Sequence, residues 1–409
     1  MGSKEKVLEE DAGLPYYHGA LMNQDVDTLL VNEGDFMVVM RLQLDINRMQ
    51  FFLAIRLRKG IRRYEIKRTP TSAKLGSRTA ASLDKLIESL KATPIELKGE
   101  KVVLKRPIPK GKFQLMHKDV IFKKKIGAGA YGTVYLGRLL KTDEVIAVKK
   151  LNPEDADEDG LAEMMKEARV MQLYDHPNIV KFYGFILDDH PYLLVLQFCN
   201  GGAVEDALKT RQHKLSIKYR INYTLMAACG MEYLHKKGCI HRDIGARNCL
   251  IHKGVVKIAD FGMCRAQTVY KLDVTKPCNV RWLAPEVWDN GETRFSTDIY
   301  AFGIMIWEFF ITPYKCPYDD MRAAEVKRKT RAGYRLPVPS KMPQSVADIM
   351  EECWHHSPEK RPSAEKMKER LEEAKTKYEK DSNAGGTVRS EVTKSKTIEP
   401  KTVEQKKEG

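Results

Sequence analysis

Apolar residues recur with two different periods along this chain, and together they predict both strands and helices. In the segment 56–68, apolar and basic residues alternate on either side of Gly60, which predicts two solvated strands joined by a turn. The run 145–148 is apolar throughout and predicts a buried strand. In the segment 161–173 apolar residues recur at helical spacing. The chain is therefore expected to be an α+β protein.

Changes in composition divide the chain into five segments. Proline and glycine cluster at 107–111, which is typical of a linker. The last residues contain no aromatic side chain and show no periodicity, which predicts disorder. The predicted boundaries are an N-terminal segment 1–13, a first domain 14–108, a linker 109–117, a second domain 118–380 and a disordered tail 381–409.

Composition narrows the cellular setting. The eight cysteines include no C-x-x-C pair, so neither a zinc site nor a disulfide framework is expected and a reducing, cytoplasmic location fits best. The longest apolar run, 301–311, is too short to span a bilayer and contains Glu308. The net charge of the chain is +15, and its basic residues are most concentrated at 56–68. A basic face of this kind favours phosphates, acidic peptides or an anionic membrane surface, and no nucleic-acid partner is expected.

Two motifs indicate phosphoryl-transfer chemistry. The segment 241–248 reads H-R-D-x-x-x-x-N, and twelve residues after its Asn248 the sequence Asp260-Phe261-Gly262 begins. In this pattern Asp243 accepts the proton of a substrate hydroxyl, while Asn248 and Asp260 hold Mg²⁺ or Mn²⁺. ATP is the expected phosphate donor.

A glycine-rich segment and an ion pair complete the predicted phosphate site. The segment 127–132 reads G-x-G-x-x-G, and glycines there let backbone N–H groups approach phosphates. Lys149 ends a strand that should be buried, where its charge needs a partner. Glu167 lies on the apolar face of the predicted helix and is the candidate partner. The pair would hold the α- and β-phosphates of ATP; the alternative is an ion pair with no nucleotide role.

The order of these motifs, ending in Ala284-Pro285-Glu286, resembles the eukaryotic protein kinase superfamily. The resemblance implies a bilobal kinase fold, in which Asp298 braces the catalytic loop and Arg361 pairs with Glu286. It also implies an adenine site with Leu196 as gatekeeper. The implied ATP-binding residues are Ile126, Gly127, Gly129, Gly132, Val134, Ala147, Lys149, Gln197, Cys199 and Leu250.

The hydroxyl that is attacked follows from the family's patterns. Serine/threonine kinases carry a lysine two residues after the catalytic aspartate, where this chain has Gly245. Arg247, four residues after it, is the tyrosine-kinase arrangement and is counted with the catalytic residues. One departure is Asn279, which stands where the family usually has proline. Tyr270 lies in the activation segment, where a phosphotyrosine could pair with Arg242.

The first domain resembles a Src-homology 2 (SH2) domain, a central antiparallel sheet flanked by two helices. The resemblance rests on Tyr16-Tyr17-His18-Gly19, on 34–38 and on 82–87, and the junction 112–120 is similar to that of Fes/Fer non-receptor tyrosine kinases. A Fes/Fer-like kinase without the family's F-BAR region is implied, with divergence of the kind seen in nematode members. Protein tyrosine substrates are its implied partners; signalling or adhesion proteins and weak binding to anionic membrane at the cytoplasmic face of the plasma membrane stay open.

The SH2-like domain departs from its family in the phosphate pocket. Val39 stands where the phosphotyrosine-binding arginine is expected, and Asn23 replaces the assisting helix arginine. Arg41, two residues along the same strand, projects to the same face, and Arg63 replaces a strand histidine. Arg41 and Arg63 are therefore the remaining candidates for a phosphotyrosine pocket. The favoured interpretation is a degenerate SH2 domain used for docking or kinase regulation.

Three function classes fit these patterns: an active tyrosine kinase, a pseudokinase scaffold and a peptide-binding adaptor. A scaffold would be favoured by the loss of Lys149, Asp243 or Asp260, and all three are present. An adaptor needs an intact phosphotyrosine pocket, which the departures at Val39 and Asn23 disfavour. The sequence therefore favours the enzyme.

Overall fold

The computed structural model describes residues 7–43, 48–129, 132–152, 157–211, 214–265, 267–273 and 278–384. An N-terminal unit is followed by a C-terminal unit built from a sheet lobe and a helical lobe. The N-terminal unit contains helices α1 Glu9–Gly13, α2 Asn23–Leu29 and α3 Leu83–Ala92, and strands β1 Asp35–Gln43, β2 Arg48–Leu57, β3 Gly60–Thr69, β4 Ser72–Leu75, β5 Arg78–Ala80, β6 Ile95–Leu97, β7 Glu100–Val102 and β8 Arg106–Pro107.

The N-terminal unit is a six-stranded sheet with helices on both faces. The strand order is β5-β4-β3-β2-β1-β8, antiparallel except for the parallel pair β1–β8. Helix α2 covers the face that carries Arg41, whose guanidinium donates to Asn23. Helix α3 covers the opposite face, where the Lys91 ammonium lies 5.8 Å from the Phe36 ring centroid. Because both faces are covered, the central residues of β1 are buried.

Helix α1, which lies before the predicted boundary at residue 13, packs on the N-terminal unit. Asp11 is buried, and its carboxylate accepts a hydrogen bond of 2.8 Å from Arg68 of β3. Lys110 Nζ also donates to the backbone oxygens of Ala12 and Leu14. A buried carboxylate requires such a cationic partner, so this ion pair fixes the short helix to the sheet.

The C-terminal unit begins with the sheet lobe and continues into the helical lobe. The sheet lobe contains β9 Gln114–Leu115, β10 Val120–Gly129, β11 Gly132–Leu139, β12 Glu144–Lys150, α4 Glu158–Met171, β13 Phe182–Ile186 and β14 Leu193–Gln197, with strand order β10-β11-β12-β14-β13-β9. The helical lobe contains α5 Val204–Thr210, α6 Ile217–Lys236, β15 Cys249–His252, β16 Val255–Ile258, β17 Val269–Lys271, α7 Val287–Asn290, β18 Glu292–Arg294, α8 Phe295–Phe310, α9 Ala323–Arg331, α10 Gln344–Cys353 and α11 Ala364–Ala384. Helix α8 is buried along almost its whole length and forms the centre of this lobe.

Part of the predicted linker 109–117 belongs to the sheet lobe. Strand β9 pairs in parallel with β13, and the Phe185 amide donates to the Phe113 carbonyl at 2.8 Å. Gly184 makes this approach possible, because a Cβ at its φ of +155° would lie 2.2 Å from the Phe113 oxygen. The connection between the two units is therefore shorter than the predicted linker 109–117, because β9 already belongs to the sheet lobe.

The two units contact each other directly. The Ala20 amide donates to the Leu187 carbonyl at 2.9 Å, and the Tyr17 hydroxyl donates to the Asp188 carbonyl at 3.1 Å. Arg169 of α4 donates two hydrogen bonds, of 2.8 and 3.1 Å, to the carboxylate of Asp25 in α2. The N-terminal unit is thus attached to the helix that carries Glu167.

Helix α11 extends past the predicted domain end at 380. It ends at Ala384, and Lys218 of α6 pairs with Glu379 at 3.2 Å. The helix therefore continues four residues into the predicted tail. The rest of the tail, 385–409, lies outside the described residues, so its disorder stays a prediction.

Candidate active site

The predicted ion pair of the sheet lobe is present. Lys149 Nζ of β12 donates to Glu167 Oε2 of α4 at 2.6 Å. Burial raises the pKa of the Glu167 carboxyl, and the Lys149 ammonium opposes this shift. Both side chains line a cavity of about 530 Å³ that also touches Gly262, directly after the Asp260-Phe261 pair. A cation in this position can contact anionic groups entering the cavity.

The glycine-rich segment forms the hairpin of β10 and β11. Gly129 pairs with Gly132 across its tip, and residues 130 and 131 lie outside the described residues. Gly132 has φ of +153°, and a Cβ there would lie 2.3 Å from the Lys150 carbonyl oxygen. Val134 pairs with Lys149 on the neighbouring strand, which connects the hairpin to the ion pair.

The other predicted nucleotide residues converge from both lobes. Ala147 pairs with Leu196, the expected gatekeeper, and Gln197 ends β14. Cys199 belongs to a small apolar cluster against which Leu196 and Leu250 pack. Ile126 of β10 is exposed. The structure therefore brings Leu196, Cys199 and Leu250 together as one apolar surface.

Asp298 of α8 holds the backbone of the catalytic loop in place. Its carboxylate accepts hydrogen bonds from the backbone amides of His241, at 2.7 Å, and Arg242, at 2.8 Å. Arg242 adopts a left-handed conformation with φ of +70°, which a non-glycine residue rarely adopts without such support. The predicted bracing role of Asp298 agrees with this geometry.

Asp243 is the most heavily hydrogen-bonded side chain of the loop. Its Oδ2 accepts from Asn248 Nδ2 at 2.6 Å, and its Oδ1 accepts from Arg247 and, at 2.6 Å, from Asn279 Nδ2. The carboxylate of Asp260 lines the same cavity of about 300 Å³ as Asp243. Asp243 is thus oriented by two members of its own loop and by one residue of a distant segment.

The side-chain oxygens near Asp243 fit a divalent cation that is also bound by the phosphates of a nucleotide. The side-chain amide nitrogen of Asn248 donates hydrogen bonds to Asp243. The side-chain oxygen of Asn248 is therefore the atom available to bind a metal ion. Asp260 is exposed and supplies carboxylate oxygens. Among the residues that the structure describes, no three His, Cys, Asp or Glu side chains form a metal-binding group. Mg²⁺ binds through one or two protein oxygens together with substrate phosphates, which matches Asn248 and Asp260.

Glu308 is a site residue that sequence reasoning missed. This buried carboxylate of α8 accepts hydrogen bonds from the Ala246 amide at 3.1 Å, from Trp282 Nε1 at 2.9 Å and from the Tyr314 hydroxyl at 3.1 Å. Burial raises the pKa of Glu308 to about 7, although these donors and the charge of Arg247 oppose the shift. Glu308 therefore joins the catalytic loop to the segment around Trp282. The signal in the sequence was a lone acidic residue in the apolar run 301–311.

The activation segment places Tyr270 against two arginines. Tyr270 lies in β17, and its ring centroid is 4.2 Å from the Arg242 guanidinium carbon and 5.0 Å from that of Arg265. Burial lowers the pKa of Arg242, and the neighbouring charge of Arg265 lowers it further. The predicted neighbour of Tyr270 is therefore present, and Arg265, which the sequence did not single out, joins it.

The predicted pairing of Glu286 with Arg361 is also present. Arg361 donates two hydrogen bonds, of 2.7 and 2.8 Å, to the Glu286 carboxylate. Arg361 is buried, and it also donates to the Ser296 carbonyl at 2.9 Å. The end of the activation segment is thus fixed to the helical lobe.

The candidate phosphotyrosine residues of the N-terminal unit are engaged within the protein. Arg41 donates to the Asn23 side-chain oxygen at 2.8 Å, and Arg63 pairs with Asp27 of α2. Burial and the nearby charge of Arg63 lower the pKa of Arg41. Val39 is buried. The structure thus brings Arg41 and Arg63 to one face of the sheet, but each already has a partner there.

The basic segment 56–68 is largely neutralised. Four of its arginines have carboxylate partners outside the segment: Arg58 with Glu33 at 3.2 Å, Arg62 with Glu100 at 2.7 Å, Arg63 with Asp27, and Arg68 with Asp11 at 2.8 Å. All eight cysteines are free thiols, as predicted. Within the described ranges, no helix is both long and apolar enough to cross a membrane.

Comparison with known proteins defines the class. The model of the protein tyrosine and serine/threonine kinase family matches residues 120–371, so the chain belongs to this family. The predicted bilobal kinase fold of the C-terminal unit is thereby confirmed.

Three relatives identify the group within this family. The chain is 33% identical to tyrosine-protein kinase Fer of Homo sapiens over 90% of this chain and 44% of that relative. It is 31% identical to Fer-related kinase 1 of Caenorhabditis elegans, covering 91% of this chain and 98% of the relative. The transforming protein Fps of avian sarcoma virus PRCII is 33% identical over 85% of this chain and 65% of that protein. The chain is thus a Fer/Fps-type kinase, and it spans less than half the length of the human relative.

Proposed function

We propose that this chain is a non-receptor protein-tyrosine kinase that transfers the γ-phosphate of ATP to tyrosine side chains of proteins. The observation that carries the proposal is the hydrogen-bonded carboxylate of Asp243, which shares one cavity with Asp260. The Lys149–Glu167 pair lines the neighbouring cavity. Tyrosine-protein kinase names among the relatives support the same activity.

The side chains have distinct roles in this reaction. Asp243 receives the proton of the substrate hydroxyl as the hydroxyl oxygen attacks the γ-phosphorus, the bond from that phosphorus to the β,γ-bridging oxygen breaks and ADP leaves. Arg247 and Asn248 hold the carboxylate in position. Lys149 contacts the α- and β-phosphates, and Glu167 orients it. Bound Mg²⁺, or Mn²⁺, held by Asn248 and Asp260, would neutralise charge on the phosphates.

The choice of tyrosine is supported by the surroundings of Gly245. A Cβ at this position would lie 2.8 Å from Arg247 Nη1 and 3.1 Å from Trp282 Nε1. The Arg247 guanidinium lies 4.1 Å from the Trp282 ring centroid, which fixes it beside Asp243 by a cation–π contact. A side chain at position 245, such as the lysine of serine/threonine kinases, would require the Arg247 guanidinium to shift. The platform formed by Trp282 and Arg247 lies beside Asp243, which a long phenol side chain would have to reach.

Two substitutions with a matched control test the mechanism. Asp243→Asn removes the proton acceptor and Lys149→Met removes the phosphate contact, so each should lower kcat/KM for a poly-Glu/Tyr polymer at least about a hundredfold. Lys150→Met, one residue further along β12, is the control and should keep most of the activity. Equal activity of Asp243→Asn, Lys149→Met and wild type would refute the proposed site.

We also propose that the N-terminal unit is a degenerate SH2 domain that docks on the kinase and positions α4. The bidentate contact between Arg169 and Asp25 supports this, because Arg169 lies only two residues after Glu167. Asp25→Arg should therefore lower kinase activity, and combining it with Arg169→Asp should recover part of the loss. Glu33→Arg, at the exposed pair with Arg58, is the control. Loss that the double variant does not recover would refute a role for this contact.

The neutralised basic segment and the occupied Arg41 and Arg63 support docking rather than phosphotyrosine capture. We propose protein tyrosine substrates as partners and the cytoplasm as the location. Binding to anionic membrane should be weak, since several arginines of the basic segment already have carboxylate partners.

A further inference from the structure

Asn279 contacts the catalytic base in a way that the proposed mechanism does not use. Its side-chain Nδ2 donates to Asp243 Oδ1 at 2.6 Å. Asn279 lies 36 residues after Asp243, in the segment that ends at Glu286, whereas Arg247 and Asn248 belong to the loop of Asp243 itself. The contact therefore joins the base to the substrate-facing end of the activation segment.

The acceptor positions of Asp243 are nearly filled by these contacts. A carboxylate offers about four lone-pair positions to hydrogen-bond donors. Arg247 and Asn279 both donate to Oδ1, and Asn248 donates to Oδ2. A substrate hydroxyl must also reach this carboxylate to transfer its proton. The substrate hydroxyl can bind to Oδ1 only if Arg247 or Asn279 leaves that oxygen.

Asn279 is the donor that can leave at least cost. Arg247 carries a full charge, which strengthens its bond to the carboxylate, and it is fixed against Trp282. Asn248 makes a second bond to the Asp243 backbone oxygen, at 2.7 Å. Asn279 is neutral, and it precedes the short 3₁₀ helix Val280–Trp282. A rotation of its side chain would free Oδ1 without disturbing the catalytic loop.

The surroundings place this contact at the substrate entrance. Asn279 and Asp243 line the same cavity of about 300 Å³, together with Asp260, Leu272 and Leu283. Charged and apolar residues therefore meet there, as a phenol with one polar end requires. The amide of Asn279 occupies an acceptor position of Asp243 Oδ1 that an incoming hydroxyl could otherwise use.

We propose that Asn279 is a positioning residue that covers the catalytic base while no substrate is bound and yields Oδ1 to the incoming tyrosine hydroxyl. The inference rests on the proposed tyrosine-kinase function. In this role Asn279 controls whether the hydroxyl of the substrate tyrosine reaches Asp243, and it does not affect the binding of ATP. Water is kept from the same oxygen, so ATP hydrolysis without an acceptor is suppressed.

Kinetic measurements on the full chain test this assignment. Asn279→Ala and Asn279→Leu both remove the amide, and Leu preserves its approximate volume. Each should lower KM for the poly-Glu/Tyr polymer about three- to tenfold, as expected when one competing hydrogen bond to a carboxylate is lost. KM for ATP should stay constant, and ATP hydrolysis without polymer should rise. Asn279→Gln keeps the amide and should stay closer to wild type, and Asn290→Leu, on the exposed end of α7, should match wild type.

Two results separate failure of the inference from failure of the proposed function. A wild-type protein that phosphorylates no tyrosine would overturn the function itself. An active wild type whose Asn279→Ala and Asn279→Leu variants lose kcat, with unchanged polymer KM and no rise in ATP hydrolysis, would show that Asn279 assists the base instead of covering it.

A measurement on the wild-type protein keeps the inference testable if the variants do not fold. Crystal structures with a non-hydrolysable ATP analogue and a peptide that carries either tyrosine or phenylalanine would differ only in the acceptor hydroxyl. The Asn279–Asp243 hydrogen bond should persist with the phenylalanine peptide and be broken with the tyrosine peptide. Its presence in both complexes would overturn the proposal.

Discussion

Replacing Glu308 by glutamine should change how the stability of the helical lobe depends on pH. Glu308 is fully buried, and burial raises the pKa of its carboxyl from 4.5 to about 7. Between these values the folded protein keeps the proton and the unfolded chain loses it. Because the folded state then binds more protons, the free energy of unfolding falls as pH rises from about 4.5 to about 7. Glutamine cannot ionise, so Glu308→Gln removes this dependence.

The size of the effect follows from the pKa difference. A difference of about 2.5 in pKa corresponds to about 3 kcal/mol of destabilisation above pH 7, most of which develops between pH 5 and pH 8. Glutamine keeps an oxygen that can accept from the Ala246 amide and from Trp282, so the contacts of Glu308 are largely preserved. The stability of Glu308→Gln relative to wild type should therefore rise by about 2–3 kcal/mol from pH 5 to pH 8.

Urea unfolding followed by tryptophan fluorescence measures this difference. All four tryptophans lie in the helical lobe, so their emission reports on the unit that contains Glu308: Trp282, Trp288, Trp307 and Trp354. Tyr314→Phe is a useful control, because it removes one donor to Glu308 but keeps the ionisable group. Parallel pH profiles for wild type and Glu308→Gln would refute the assignment of a raised pKa to this carboxyl.

Three further predictions concern regulation, substrate geometry and phosphotyrosine binding. Tyr270→Phe should lower turnover after preincubation with ATP, because a phosphate on Tyr270 would supply an anionic partner to Arg242 and Arg265; equal turnover would place the switch elsewhere. Gly245→Ala should lower kcat/KM for peptide about tenfold by displacing Arg247, measured in steady-state kinetics, whereas unchanged kinetics would contradict the tight contact. By titration calorimetry, the full chain should bind phosphotyrosine peptides no better than about 100 μM, and Val39→Arg should tighten binding. Low-micromolar wild-type affinity that Arg41→Ala abolishes would show that Arg41 binds phosphate.

Much of the site was predictable because its chemistry is encoded in short motifs. Lys149, Asp243, Asn248 and Asp260 each sit in a local pattern whose order indicates phosphoryl transfer, and the Lys149–Glu167 pair followed from a carboxylate on an apolar helix face. The fold of the C-terminal unit followed from the same motifs through their family resemblance.

The residues that sequence reasoning missed act through contacts between distant segments. Glu308 meets Ala246 and Trp282 only after α8 is placed under the catalytic loop. Asp25 meets Arg169 across 144 residues, which no local pattern indicates. The pairing of β9 has the same origin, since β9 belongs to the sheet lobe through a strand about 70 residues further along the chain.

The amino acid that receives phosphate tests the central claim most directly. The purified 409-residue chain would be incubated with Mg²⁺, radiolabelled ATP and a protein substrate that offers tyrosine, serine and threonine side chains. The product would then be hydrolysed for phosphoamino-acid analysis. The structure around Gly245, Arg247 and Trp282 predicts phosphotyrosine alone, and Asp243→Asn should abolish the label. Label on serine or threonine that disappears with Asp243→Asn would contradict tyrosine specificity, and label that persists in Asp243→Asn would contradict the assigned base.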